Sequence, residues 1–223
     1  MKNVIITGAT GLVGGLVLQE CLDSTEIQSV TSITRRVSGN IHPKLTEIIH
    51  SDFTDYSAIY EHLKGKDIAF YCISIYTGKV PNSEFKKITV DYTAAFSKAL
   101  KKESPNATFC FLSGQGADQT EKSPLIFAKS KGAAEKDLIS RQFKELYIFR
   151  PGYIYPITRR FEPNFSYRLS QMLFPFLRLL MPNAVITSIR LAKAIFKTGL
   201  YGANQTILEN IDIRMLEIEG LPK

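Results

Sequence analysis

The residues best placed to do chemistry lie at the start of the chain, where Gly8-Ala9-Thr10-Gly11-Leu12-Val13-Gly14 follows the apolar burst Val4-Ile5-Ile6. In a strand-to-helix turn the first glycine permits the tight bend. The second lets the backbone approach a diphosphate, and the third lets the helix pack closely on the strand. Amides around Thr10, Leu12 and Val13 would then sit at a helix N-terminus, where unpaired N–H groups and the helix dipole both favour an anion. The chemistry this spacing predicts is the binding of a dinucleotide.

A second group of residues bears on which dinucleotide. The second apolar run ends at Thr34-Arg35-Arg36, where a protein preferring NAD(H) would place an acid on the ribose 2′-hydroxyl. Two guanidinium groups there suit a 2′-phosphate instead, because their planar forks pair with phosphate oxygens. NADP(H) is therefore the expected cofactor, ahead of NAD(H). Asp52 and Phe53 are expected beside the adenine, and Ser74 near the ribose.

These residues need a scaffold, and the chain supplies one by alternating short β-branched or aromatic runs with longer helical stretches. Strands are predicted at Val4–Ile6, Val30–Thr34, Leu45–His50, Asp67–Ile73, Thr108–Leu112 and Leu146–Phe149. Helices are predicted at Leu12–Leu22, Tyr56–Leu63, Ser83–Lys102 and Ser123–Arg141. Repeated strand–helix units give an α/β fold, a Rossmann-type doubly wound parallel sheet. After Tyr153 the rhythm changes to aromatic loops, with apolar helices predicted at Tyr167–Met181 and Ser188–Thr198. The expected division is a dinucleotide-binding core at 1–155 and a small C-terminal cap or substrate region at 156–223, packed on the same domain over the strand ends where such sheets bind ligands.

Three sequence blocks carry a resemblance. Thr7-Gly8-Ala9-Thr10-Gly11-Leu12-Val13-Gly14, Phe111-Leu112-Ser113-Gly114 and Phe149-Arg150-Pro151-Gly152 look like an atypical short-chain dehydrogenase/reductase. With Arg35-Arg36, the run Ser113–Asp118 and Lys131-Gly132-Ala133-Ala134-Glu135, the chain resembles more narrowly the Tat-interacting-protein-like NAD(P)H-binding proteins. The resemblance implies that Ser113 orients a substrate carbonyl and that Lys131 is the lysine of the family's Tyr-x-x-x-Lys pair, near the nicotinamide ribose. The tyrosine position holds Phe127, which has no ionisable proton. General acid–base help worth about a hundred- to ten-thousand-fold is therefore missing from that side chain. Tyr153 or Tyr155, following the Arg150-Pro151-Gly152 turn, could stand in for it, although packing is the ordinary role of such rings. Pro151 and Gly152 are expected to shape a backbone turn beside the carboxamide.

Composition excludes several classes. The formal charge of +7 comes from lysines scattered over helices, with no interleaved basic and aromatic stripe, so nucleic acid is not an expected partner. The three cysteines are scattered among apolar residues, which favours a reducing compartment, and a short N-terminal apolar burst argues against export; the expected location is cytoplasmic. His42, His50 and His62 share no ligand spacing, so no metal is expected, and no nucleophile-elbow motif marks a hydrolase. The aromatic segment from Phe161 into the apolar run ending at Met181 needs a cover. The core, a bound apolar substrate, a protein partner, a second copy of the chain or a membrane surface would each serve.

Two functions remain open at this point. The leading one is an NADP(H)-dependent oxidoreductase acting on a small carbonyl or alcohol compound of unknown identity, with weakened acid–base machinery. The other is a catalytically inactive NAD(P)H-sensing regulator or scaffold that binds a protein partner.

Overall fold

The computed structural model describes residues 1–157 and 182–218. In chain order the elements are β1 (Lys2–Thr7), α1 (Leu12–Asp23), β2 (Ile27–Thr34), β3 (Leu45–Ile49), a 3₁₀ segment (Ser57–Leu63), β4 (Ile68–Tyr71) and α2 (Asn82–Lys86). A π turn (Lys87–Asp91), α3 (Tyr92–Glu103), β5 (Thr108–Leu112), α4 (Ile126–Ser140), β6 (Glu145–Arg150) and β7 (Tyr153–Tyr155) come next. A 3₁₀ turn (Pro182–Ala184), β8 (Val185–Thr187), α5 (Ser188–Tyr201), β9 (Ile207–Glu209) and α6 (Asn210–Ile218) complete the described chain.

Seven strands form one sheet in the order β3-β2-β1-β4-β5-β6-β9, with every neighbouring pair parallel. A parallel sheet must be covered on both faces, and β1 shows how one strand serves both covers. Val4 and Ile6 point to the side where Val13, Val17 and Leu18 of α1 and Leu191 and Ile195 of α5 pack. Ile5 points to the other, among Phe96 and Leu100 of α3 and Ala134 and Leu138 of α4. Each fully buried aliphatic side chain there contributes about 1.5–3 kcal/mol. The strand order reverses between β1 and β4, and that reversal opens a crevice at the carboxyl ends of the strands.

The helix expected over Ser83–Lys102 forms, but as α2, a π turn and α3 in succession, a local widening that apolar spacing alone does not reveal. The expected helix over Tyr56–Leu63 is a 3₁₀ segment, Ser57–Leu63. The C-terminal part does more than follow the core. Ile207–Glu209 pairs with Ile148–Arg150 as the seventh strand of the main sheet, and α5 covers the same face as α1. Three residues are too few to show alternation in sequence, so β9 carried no signal. The apolar helix expected over Tyr167–Met181, and the aromatic segment before it, lie outside the described residues.

Candidate functional site

The nucleotide cradle follows from how tightly β1, α1 and β4 approach one another. Gly8 adopts φ +79°, and a Cβ there would lie 2.6 Å from the Cys72 carbonyl carbon, so any side chain would collide with the chain leaving β4. A Cβ at Gly14 would lie 2.3 Å from the Gly8 carbonyl oxygen. The turn is closed by Gly11 N–H donating to the Gly8 carbonyl at 2.9 Å. Gly11 is the N-cap of α1 and brings no capping side chain, so the first-turn amides at Leu12 and Val13 are left for a ligand. Thr10, also on this turn, is exposed. An uncapped helix start wrapped by glycines that cannot carry side chains fits a diphosphate.

Arg35 and Arg36 lie just beyond the end of β2, and both are exposed. Thr34, buried at the strand end, donates its hydroxyl to the Arg36 carbonyl at 2.8 Å and so fixes the path of the chain between them. Ser74 is exposed on the loop after β4. Asp52 is exposed, and its carboxylate accepts from the Thr54 hydroxyl at 2.6 Å and the Thr54 amide at 2.9 Å, bonds that hold its pKa below the ordinary carboxylate value. Phe53 departs from expectation. Its ring is 4% exposed and stacks on Tyr92 at 5.6 Å, which makes it a core residue and not a free wall for an adenine.

At the end of β5 the structure gathers a polar cluster. Ser113, 6% exposed, donates its hydroxyl to Glu135 Oε1 at 2.5 Å, and Glu135 is wholly buried. Arg150 binds the same carboxylate with Nε at 2.9 Å and Nη2 at 2.5 Å, and reaches Glu209 with Nη1 at 2.9 Å. Gln119 Nε2 donates to Glu135 Oε2 at 2.8 Å. A buried carboxylate is tolerable only when paired and hydrogen-bonded, and here each oxygen has two donors. The expected use of the Ser113 hydroxyl hydrogen, orienting a substrate carbonyl, does not fit this arrangement, because that hydrogen goes to Glu135.

Lys131 and Phe127 sit one turn apart on α4. The Lys131 ammonium is 2% exposed, donates to the Leu112 carbonyl at 2.9 Å and lies 5.1 Å from the centre of the Phe111 ring. Burial pulls it from an ordinary 10.5 down to about 8, against the opposing pull of Glu135. The expected place of Lys131 beside the nicotinamide ribose is thus at the strand ends, but its ammonium is buried there on that carbonyl and ring.

The turn after β6 is anchored from the C-terminal part. A Cβ at Gly152 would lie 2.2 Å from the Ala184 carbonyl oxygen, and the Gly152 amide donates to Asn210 Oδ1 at 2.9 Å. Asn210 in turn donates to the Val185 carbonyl at 3.2 Å. Pro151 is buried, and its carbonyl accepts from the Gln115 amide at 2.9 Å. Tyr153 and Tyr155 lie on β7, half-buried and paired with β8. Gln119, Glu209 and Asn210 were not singled out from sequence, and Glu135 and Arg150 entered only as parts of the family-like blocks, with no role assigned. Glu135 had a further signal: four residues after Lys131, it shares that residue's helix face.

Comparison with known proteins agrees with this architecture. The model of the NAD dependent epimerase/dehydratase family matches residues 4–141. A protein named FMP52, mitochondrial, from Candida albicans is 33% identical over 155 residues, which are 67% of this chain and 66% of that protein. Protein HTATIP2 of Rattus norvegicus is 29% identical over 154 residues, 68% of this chain and 62% of that protein. The chain thus spans just under two thirds of the length of these curated relatives. In fold it is similar to Gre2 of Candida albicans in complex with NADPH, at TM-score 0.71 and 18% identity over 93% of this chain and 77% of that one. It is similar also to the Bordetella bronchiseptica enzyme WbmH in complex with NAD+, at TM-score 0.70 and 17% identity over 100% of this chain and 83% of that one. The expectation of a cytoplasmic location is corrected here, since several fungal relatives are named mitochondrial proteins. Glycine cradle, sheet order and matched residues agree: the chain belongs to the NAD dependent epimerase/dehydratase family.

Proposed function

We infer that this protein binds NADP(H) at the Gly8–Gly14 turn, with Arg35 and Arg36 reading the 2′-phosphate, and that it works by holding the nucleotide. Serine–tyrosine hydride transfer is not its task. The observation that carries this reading is the fate of two hydroxyls. Ser113 spends its hydrogen on Glu135 at 2.5 Å, and residue 127 is a phenylalanine. The phenyl ring has no proton to give, and the Ser113 hydroxyl is engaged by a buried carboxylate. The turn beside the expected nicotinamide is joined to the C-terminal part through Gly152–Asn210 and Arg150–Glu209, so occupancy of the crevice can be felt at β8, β9 and α6. A partner protein reading that state completes the proposal.

One observation favours a second reading, an oxidoreductase acting on a small carbonyl or alcohol compound. NADPH bound in the crevice supplies hydride, and Lys131, which burial holds at about 8, can exchange a proton at neutral pH. Measuring NADPH binding and NADPH oxidation in one sample, with a panel of short aldehydes and ketones, separates the two. Binding with oxidation at the background rate supports a holding function. Turnover that titrates with an apparent midpoint near 8 and disappears in Lys131→Met supports the enzyme.

A further inference from the structure

Arg35 and Arg36 sit on a segment that has no helix to hold it. Parallel strands are ordinarily joined by a helical crossover, yet β2 and β3 are joined through residues 35–44 without one. Two side chains supply the missing support where the crossover begins. The Thr34 hydroxyl, buried at the strand end, donates to the Arg36 carbonyl at 2.8 Å and takes the Arg36 amide in return at 3.5 Å. Glu47, half-buried on β3, accepts the Ser38 amide with both carboxylate oxygens, at 3.2 and 3.1 Å. The His50 amide donates to the Thr34 carbonyl at 2.9 Å, so β2 stays paired up to the residue where the chain leaves it. At the far end of the crossover Lys44 Nζ donates to the Leu22 and Ser24 carbonyls, at 3.1 and 2.6 Å.

The two arginines are thus enclosed between two fixed points, Thr34 before them and Ser38 after them. Their side chains stay exposed and, among the described residues, make no ion pair. Resting on the NADP(H) reading above, we propose that Thr34 and Glu47 are positioning residues for the 2′-phosphate, and that discrimination between NADP(H) and NAD(H) depends on both. An arginine on an unheld loop loses affinity to the ordering it undergoes on binding, and these bonds impose that order before the ligand arrives. The role of Glu47 runs against its charge. A carboxylate beside this segment repels a phosphate, so charge alone would make its removal tighten NADPH. As the acceptor of the Ser38 amide it does the opposite, because it keeps the arginines in place and its loss loosens NADPH. The two roles give opposite signs.

Wild type, Thr34→Val, Thr34→Ser, Glu47→Ala and Glu47→Gln, each titrated calorimetrically with NADPH and with NADH, test this. Thr34→Val and Glu47→Ala are each expected to weaken NADPH about three- to tenfold, the ordinary net worth of one hydrogen bond, and to leave NADH within about twofold. Thr34→Ser keeps the hydroxyl, and Glu47→Gln keeps an acceptor oxygen without the charge. Both are expected to retain the preference of wild type for NADPH, and the glutamine variant can exceed it. Tighter NADPH binding by Glu47→Ala, an equal loss for the two nucleotides, an unchanged preference in either Thr34→Val or Glu47→Ala, or a lost preference in Thr34→Ser or Glu47→Gln would each overturn the proposal. Tm is measured for every variant, and if Thr34→Val does not fold, Glu47→Ala on the edge strand decides alone. Wild type without a preference for NADPH would take down the reading of Arg35 and Arg36, and this one with it. A preference lost in Arg35→Ala/Arg36→Ala but kept in Thr34→Val and Glu47→Ala would take down this proposal alone.

Discussion

Arg150 at the end of β6 grips Glu135 on α4 with two guanidinium nitrogens, at 2.9 and 2.5 Å, and the carboxylate it holds has no exposure to solvent. That pairing joins the last helix of the core to the strand beside it, and through Glu209 to the C-terminal strand β9.

Removing one partner of such a pair leaves the other buried and uncompensated, which costs about 3–5 kcal/mol. Arg150→Met is therefore expected to lose that much in a urea unfolding experiment, although its apolar stem is kept. A loss under about 1 kcal/mol would show that Glu135 finds other donors or water.

The Lys131 ammonium makes a pH-dependent prediction. Its proton is held less tightly in the fold, at about 8, than in the unfolded chain, where the ordinary value is 10.5. Between those values the unfolded chain binds more protons, so this group's contribution to stability rises with pH across the window, and below about 8 its penalty is complete. That penalty is on the order of 3 kcal/mol, offset in part by the bond to Leu112. Lys131→Met is accordingly expected to raise Tm at pH 7, with the gain shrinking by pH 10, while NADPH affinity falls about tenfold. A Tm change that is the same at both pH values would contradict the assignment.

The glycine cradle was legible in the sequence because its requirement is local. A turn that must bend at Gly8 and admit a helix at Gly14 writes glycine at fixed spacing, and β1 and α1 write their periods on either side. The cluster around Glu135 was not legible, because its members come from the loop after β5 and from α4, β6 and β9, and their meeting depends on sheet order. Ser113 was assigned by its neighbours in sequence, yet the direction of its side chain is set by a carboxylate 22 residues away. Phe53 was placed beside a ligand on its position after β3, and burial against Tyr92 decided otherwise. Strand β9 was missed because three residues leave no period to read.

Gly14→Ala tests the fit of cradle and ligand. The added methyl would lie 2.3 Å from the Gly8 carbonyl oxygen, a contact that neither backbone can relieve without separating α1 from β1. Overpacking of this kind costs about 1–3 kcal/mol, and NADPH affinity is expected to fall at least tenfold. Unchanged affinity, measured by quenching of the nucleotide fluorescence, would mean that the nucleotide is bound elsewhere.

On the proposed reading, the Gly8–Gly14 turn receives a diphosphate while Arg35 and Arg36 receive one phosphate more. Calorimetric titration of wild type and of Arg35→Ala/Arg36→Ala with NADPH and with NADH addresses it directly. Wild type is expected to bind NADPH at least tenfold more tightly than NADH, and the double variant to lose that preference while keeping its NADH affinity. Equal affinity of wild type for the two nucleotides would refute the role of the arginines, and no binding of either would refute the dinucleotide site.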